Sequence, residues 1–277
     1  MKKYLKPSLF IFIYMSLYLF AQGVITFLYV VIYFLCNFKQ IGAPAFIDEF
    51  TNNILKGATT ALLISALICI PIYYLIVKSR GSSFFKECSI IKPGFSNVIL
   101  SSTLGASFGT LVTLLLIYVN YVFPLDKLPG NYEEFSKIIM SGNIVIVFLS
   151  VGIIGPIIEE IIFRGLILSE LNKIAPPVAS VIIQGVLFGL YHMQPLQIIY
   201  ATPVGIVLGL IAMRSKNLWS SIIVHIFFNS INLITGFILS DQQMESYGLP
   251  LLLSSTLVFA VSFYFLWVTE KRRVVRE

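Results

Sequence analysis

Residues 143–170, NIVIVFLSVGIIGPIIEEIIFRGLILSE, decide the class of this protein. The stretch exceeds the roughly 20 apolar residues that a helix needs to cross a bilayer. It nevertheless contains two adjacent acids, Glu159 and Glu160, and one base, Arg164. Because charged side chains are expensive inside a membrane, they indicate a functional site within a membrane span.

The composition of the whole chain agrees with this interpretation. Of its 277 residues, 57% are hydrophobic and only 12% are charged, whereas a soluble domain carries roughly 25% charged residues. The mean hydropathy is +0.91. These values exclude a soluble fold, and we predict an all-α, polytopic bundle of about eight transmembrane helices in a single membrane domain, residues 1–277.

Apolar runs broken by charge, Pro or Gly give the positions of the spans. We place them near residues 8–36, 55–77, 97–123, 143–170, 177–193, 196–213, 218–238 and 249–268. The fifth and sixth spans are separated only by Met193-Gln194-Pro195, which predicts a tight helical hairpin or a partly re-entrant pair.

The distribution of basic residues predicts the orientation of the chain. Its formal net charge is +6, and most bases lie at the two termini, in segment 78–96 and in the turns near 171–176 and 214–217. The remaining loops hold Lys39, Lys56, Lys127 and Lys137. Cytoplasmic loops of membrane proteins are enriched in Lys and Arg, so we predict that both termini are cytoplasmic. Bases scattered between apolar runs indicate a lipid bilayer rather than nucleic acid as the partner.

Two further patterns are interpreted as structural. Cys36, Cys69 and Cys88 lie in unrelated segments without C-x-x-C spacing, so we predict neither a disulfide framework nor a thiolate metal site. Gly205 and Gly209 form a G-x-x-x-G pattern in the sixth span, which predicts close helix packing.

The polar residues inside the spans fall into two groups. Glu160 and Arg164 are four residues apart, so they share a helix face and are predicted to form a structural ion pair. Glu159 is rotated about 100° from Glu160 around the helix, and its own i+4 residue is the apolar Phe163. Glu159 therefore requires a partner from another helix. The only two histidines of the chain, His192 and His225, are the candidates.

Two chemistries remain open for these side chains. His225 and Asn229 share one face of the seventh span, and together they could donate hydrogen bonds to a developing oxyanion. Alternatively, Glu159, His192 and His225 could coordinate a divalent metal such as zinc, leaving a fourth position open for water. No H-E-x-x-H pattern supports the metal, so the expected cofactor is either none or a divalent metal.

Three motifs resemble those of the CPBP intramembrane proteases, also called the Abi family, which includes the type II CAAX prenyl endopeptidases. Their pattern is E-E-x-x-x-R, then F-x-x-x-H, then H-x-x-x-N on successive membrane helices. Here the three motifs begin at Glu159, Phe188 and His225, in the same order. The resemblance defines a catalytic core at residues 143–236, preceded by three spans and their loops in residues 1–142. Residues 237–277 would hold the last span and a basic tail.

The resemblance implies an endopeptidase that hydrolyses a peptide bond of a membrane-associated protein or peptide. Glu159 with His192 would activate water, and His225 with Asn229 would form the oxyanion site, in a glutamate-type or a metal-dependent protease. A multi-pass protein of a bacterial plasma membrane is expected. The alternative is a non-proteolytic scaffold, bacteriocin-immunity-type protein or transporter that uses the same polar cluster structurally.

Overall fold

The computed structural model describes residues 2–41, 46–125, 142–238 and 241–274, and within these ranges it contains helices and no strand. A short 3₁₀ turn spans Phe38–Gln40. The α-helical segments are α1 Lys2–Cys36, α2 Phe46–Ser79, α3 Phe84–Glu87, α4 Phe95–Val122, α5 Ile144–Leu171, α6 Pro177–Tyr191, α7 Pro195–Ser215, α8 Leu218–Ile238 and α9 Asp241–Val274.

In the described part of the chain, 7 helices are long and apolar enough to cross a membrane. They are α1, α2, α4, α5, α7, α8 and α9, and α6 is a shorter apolar helix among them. The predicted all-α membrane bundle is therefore confirmed, with the fifth of the eight expected spans replaced by this shorter helix.

Helix α6 is short because the chain reverses directly after it. Its 15 residues rise about 22 Å at 1.5 Å per residue, less than the roughly 30 Å of bilayer hydrocarbon. Met193 adopts a left-handed backbone conformation with φ 57°, and Pro195, which lacks an N–H, begins α7. The two helices thus form the predicted hairpin.

Glycines allow the helices of the bundle to approach closely. A Cβ atom on Gly205 of α7 would lie 3.1 Å from the Cα of Gly185 in α6, so the predicted packing of the G-x-x-x-G pattern is confirmed. A Cβ on Gly105 of α4 would lie 2.3 Å from the carbonyl oxygen of Val224 in α8. The α6–α7 hairpin and the α4–α8 pair therefore pack backbone against backbone.

Helix α5 departs from regular α geometry on both sides of the two acids. Segments Phe148–Ile154 and Ile161–Ile167 are π-helical, and Gly155–Glu160 between them is α-helical. Such wider turns recur at functional sites. Pro156, which cannot donate a backbone hydrogen bond to the preceding turn, accounts for the first of them.

An ion network lies at the carboxyl end of α5, and we call Arg80, Glu87, Glu170 and Lys173 the end network. Lys173 Nζ donates to Glu170 Oε1 at 2.9 Å and to Glu87 Oε1 at 3.1 Å, and Arg80 pairs with Glu170. The network thereby joins α2, α3 and α5.

All three cysteines are free. Cys36 is exposed, whereas Cys69 and Cys88 are buried. Burial raises the pKa of the Cys88 thiol to about 12, which leaves it unreactive near neutral pH.

Some predictions fall outside what the fold can test. Lys127 and Lys137, which contributed to the orientation, lie outside the described residues, so the cytoplasmic location of both termini stays a prediction. The division into residues 1–142, 143–236 and 237–277 likewise stays a prediction.

Candidate active site

The ion pair predicted within α5 is present at the centre of the site. Arg164 Nη1 donates to Glu160 Oε1 at 2.8 Å, and both side chains are 0% exposed. Arg164 also donates from Nη2 to the Gly205 carbonyl at 3.0 Å, and its guanidinium lies 4.4 Å from the centre of the Phe188 ring. The buried cation is therefore held by three different groups.

Glu160 has a second partner that the sequence did not reveal. His225 Nδ1 lies 2.9 Å from Glu160 Oε1, across from α8 to α5. Because an ionised carboxylate only accepts hydrogen bonds, Nδ1 must carry the hydrogen, and in the neutral ring Nε2 is then an acceptor. Glu160 thus sets both the orientation and the tautomer of His225. The i,i+4 rule applies within one helix, so it could identify Arg164 but not His225.

Glu159 lies on the other side of the same imidazole. Its Oε2 is 3.7 Å from His225 Nε2, too far for a direct hydrogen bond. The Glu159 side chain is 20% exposed, whereas Glu160 is fully buried. His225 therefore stands between two acids of different character: one dry and paired with a cation, the other accessible and without one. We call Glu159, Glu160, Arg164 and His225 the membrane cluster.

His192 approaches the cluster through an aromatic ring. Its Nδ1 lies 2.8 Å from the Phe188 carbonyl oxygen, so Nδ1 is the donor and Nε2 is left as an acceptor. The His192 and His225 rings both meet Phe188 edge to face, with centroids 4.8 and 5.7 Å away. Within the described ranges, no hydrogen bond or ion pair joins His192 to Glu159. The two histidines thus share one neighbour, the first residue of the F-x-x-x-H motif.

The Asn229 side chain uses one of its two amide hydrogens to bond the backbone of α5. Its Nδ2 donates to the Val151 carbonyl at 2.9 Å, and the next residue, Ser230, contacts the Gly152 carbonyl at 3.4 Å. These carbonyls belong to the π-helical turn before Pro156, so α8 supplies hydrogen bonds where α5 is irregular. The second hydrogen of the Asn229 amide has no recorded acceptor among the described residues.

The metal alternative can be examined against this geometry. In residues 2–41, 46–125, 142–238 and 241–274, no three His, Cys, Asp or Glu side chains form a group that could hold a metal ion. Coordination of a divalent metal by Glu159, His192 and His225 stays a prediction.

Two tyrosines beside the site escaped the sequence analysis. Tyr191 lies between Tyr18 of α1, with parallel rings 6.5 Å apart, and Phe163 of α5, at 5.3 Å. The abundance of aromatic residues in a membrane protein gives no signal that distinguishes such positions from lipid-facing ones. Only the position of Tyr191 next to His192 pointed to the site.

Comparisons with known proteins agree with the motifs. Residues 141–231 match the model of a family described as "Type II CAAX prenyl endopeptidase Rce1-like". The chain is 25% identical over 184 residues to the "Putative membrane peptidase YdiL" of Bacillus subtilis (strain 168), covering 65% of this chain and 72% of that protein. No solved structure matches the chain. The resemblance inferred from the motifs is confirmed, and these findings together with the spans support a multi-pass membrane protease.

Proposed function

We propose that this chain is an intramembrane endopeptidase in which Glu159 activates the water that cleaves a peptide bond of a membrane-associated substrate. The observation that carries the proposal is the position of His225 between two acids, 2.9 Å from Glu160 and 3.7 Å from Glu159. Ionisable side chains in such a setting are expensive and are retained for chemistry. A purely structural pair would need only Glu160 and Arg164.

Glu159 is suited to act as the general base. Among the described residues no Lys or Arg pairs with its carboxylate, which is partly accessible, so it can take a proton from a water molecule. His192 Nε2, left as an acceptor by the bond from Nδ1 to Phe188, can orient the same water. The water oxygen then attacks the scissile carbonyl carbon. The proton taken by Glu159 passes to the leaving nitrogen as the carbon–nitrogen bond breaks.

The oxyanion that forms in this step needs hydrogen-bond donors. Asn229 can offer its second amide hydrogen, and His225 can offer Nε2–H when its ring carries both protons. Glu160 fixes the orientation of the His225 ring, because its carboxylate accepts the Nδ1 hydrogen. We therefore assign Glu160 as a positioning residue for His225 in addition to its ion pair with Arg164.

The test measures cleavage by the purified protein in lipid nanodiscs. The probes are a farnesylated peptide ending in a CAAX sequence, the same peptide without the prenyl group, and a set of unrelated transmembrane peptides. We expect at least one to be cleaved, and Glu159→Gln to lower kcat by about 10²- to 10⁴-fold. Glu49→Gln is the matched control, because Glu49 is exposed on α2 and far from the motifs in sequence.

Three results would decide against the proposal or its details. Equal cleavage by the parent and Glu159→Gln would remove the assigned base. No cleavage of any probe by the parent would favour the scaffold, immunity or transport alternative. Loss of activity with a chelator, restored by added zinc, would show that the site rearranges to bind a metal and would replace the metal-free mechanism.

A further inference from the structure

The hydroxyl of Tyr191 is a buried polar group without a partner. Tyr191 is 8% exposed, and its hydroxyl makes no hydrogen bond among the described residues. Buried polar groups of native proteins are nearly always hydrogen-bonded, and each exception requires an explanation. Leaving such a group unpaired destabilises the folded state.

The ring of Tyr191 is held on the Glu159 side of α5. Its edge-to-face neighbour is Phe163, which stands four residues after Glu159 and therefore on the same face of that helix. The opposite neighbour is Tyr18 of α1, whose ring is parallel to that of Tyr191.

The Glu159 carboxylate lacks a hydrogen-bond donor, just as the Tyr191 hydroxyl lacks an acceptor, among the described residues. In the described ranges this carboxylate accepts no hydrogen bond, and His225 Nε2 lies 3.7 Å from its Oε2. A carboxylate can only accept, and a phenol can donate. Within the described residues, the Glu159 carboxylate is thus an acceptor without a donor, and the Tyr191 hydroxyl is a donor without an acceptor. Phe163 links the two, because it lies one helical turn after Glu159 and contacts the Tyr191 ring.

We propose that Tyr191 is a positioning residue for Glu159, whose carboxylate accepts a hydrogen bond from the Tyr191 hydroxyl, directly or through one water, in the state that turns over substrate. That hydrogen bond fixes the carboxylate oxygen that removes the proton from water. This inference rests on the proposed function, since it assigns Tyr191 a role in the same reaction.

The proposal predicts opposite effects of Tyr191→Phe on stability and on activity. Removing an unpaired hydroxyl should leave Tm unchanged or raise it. At the same time kcat should fall about tenfold or more, with KM unchanged, because the hydroxyl acts on the base and not on the substrate.

Tyr73→Phe is the matched control, because it removes the same atom from another buried tyrosine. The Tyr73 hydroxyl donates to the Tyr14 carbonyl at 2.7 Å, and Tyr73 is 0% exposed. This variant should lower Tm by about 2 to 4 °C, the shift expected for one lost hydrogen bond in a chain of this size. Its kcat per folded molecule should equal that of the parent.

The experiment measures Tm, kcat and KM of the parent and both variants on a peptide that the parent cleaves. A Tyr191→Phe variant with parental kcat overturns the inference while the proposed function stands. So does a variant that loses Tm as Tyr73→Phe does or fails to fold, because the hydroxyl would then have a structural partner. A raised KM with unchanged kcat would place Tyr191 on the substrate and also overturn it. A parent that cleaves no peptide removes the proposed function, and this inference falls with it.

Discussion

The end network and the membrane cluster both use charged residues of α5, yet they are built differently. The end network contains two cations, Arg80 and Lys173, and two acids, Glu87 and Glu170. Among the described residues, no polar side-chain atom of these four is both buried and unpaired. The network balances its charges and completes its hydrogen bonds.

The membrane cluster leaves bonds open. Arg164 Nε is buried without a hydrogen-bond partner in the described part of the chain, and Glu159 has His225 only at 3.7 Å. Two acids share a single permanent cation. A cluster selected for stability alone would complete these bonds, and local departures from that rule are expected at functional sites.

The largest loss of stability is expected at Glu160, the fully buried acid of the membrane cluster. Glu160→Gln leaves Arg164 buried without its counter-charge, which should reduce the free energy of unfolding by about 3 to 5 kcal/mol. The same variant removes the negative charge beside His225, so turnover per folded molecule should also fall. Denaturation and peptide cleavage measured on one preparation test both effects. A fully active, fully stable variant would contradict the assigned contacts.

Removing both charges of the Glu160–Arg164 ion pair should partly restore stability without restoring turnover. Glu160→Gln combined with Arg164→Met avoids the lone buried ion and should recover part of the folded yield. Turnover should remain low, because His225 still lacks its carboxylate partner. Recovery of activity together with yield would mean that Glu160 serves only the ion pair, as its sequence spacing suggested.

The end network should respond less strongly to the same kind of change. Arg80→Met removes one partner of Glu170, but Lys173 remains at 2.9 Å from that carboxylate. Arg80 also donates to the Tyr14 hydroxyl, so we expect a loss of about 1 to 3 kcal/mol in the free energy of unfolding from the charged hydrogen bonds removed. Turnover of the remaining folded protein should be unchanged. A loss of turnover at constant stability would contradict the separation of the two clusters.

The smallest effect is expected at Lys173, whose side chain is 43% exposed. Lys173→Met should change the free energy of unfolding by less than about 1 kcal/mol, and high salt should reduce the difference. Thermal unfolding at low and high ionic strength measures it. A loss as large as that expected for Arg80→Met would show that exposure does not weaken this pair.

The same variant should alter the response to acid. Burial opposes ionisation of Glu87, but hydrogen bonds from Lys173 and Ser169 outweigh it and hold the Glu87 pKa below its ordinary value of 4.5. A depressed pKa in the folded state means that this stabilisation is present above pH 4.5 and is lost as pH falls below it. Lys173→Met should therefore flatten the decrease of Tm between about pH 5 and pH 3. An identical acid profile would exclude Lys173 as a cause.

The sequence could predict local features and the close packing at Gly205, but not which side chains meet across separate helices. The Glu160–Arg164 pair follows from the pitch of one helix, and the α6–α7 hairpin follows from Met193-Gln194-Pro195. By contrast, the bond between His225 and Glu160 depends on how α8 packs against α5. Periodicity within either helix carries no information about that packing. The same holds for Tyr191, whose unpaired hydroxyl is visible only once three helices are assembled around it.

The short length of α6 also bears on how the protein matches the thickness of the bilayer. Its Val178, Ile182 and Leu190 side chains are 62%, 47% and 51% exposed, so one face of this helix is apolar and uncovered by the rest of the described chain. Apolar matching over about 22 Å would draw the two leaflets together on that flank of the protein. The headgroup boundary would then descend toward His192 at the tip of the hairpin. In that arrangement the bilayer would shorten the path of water to His192.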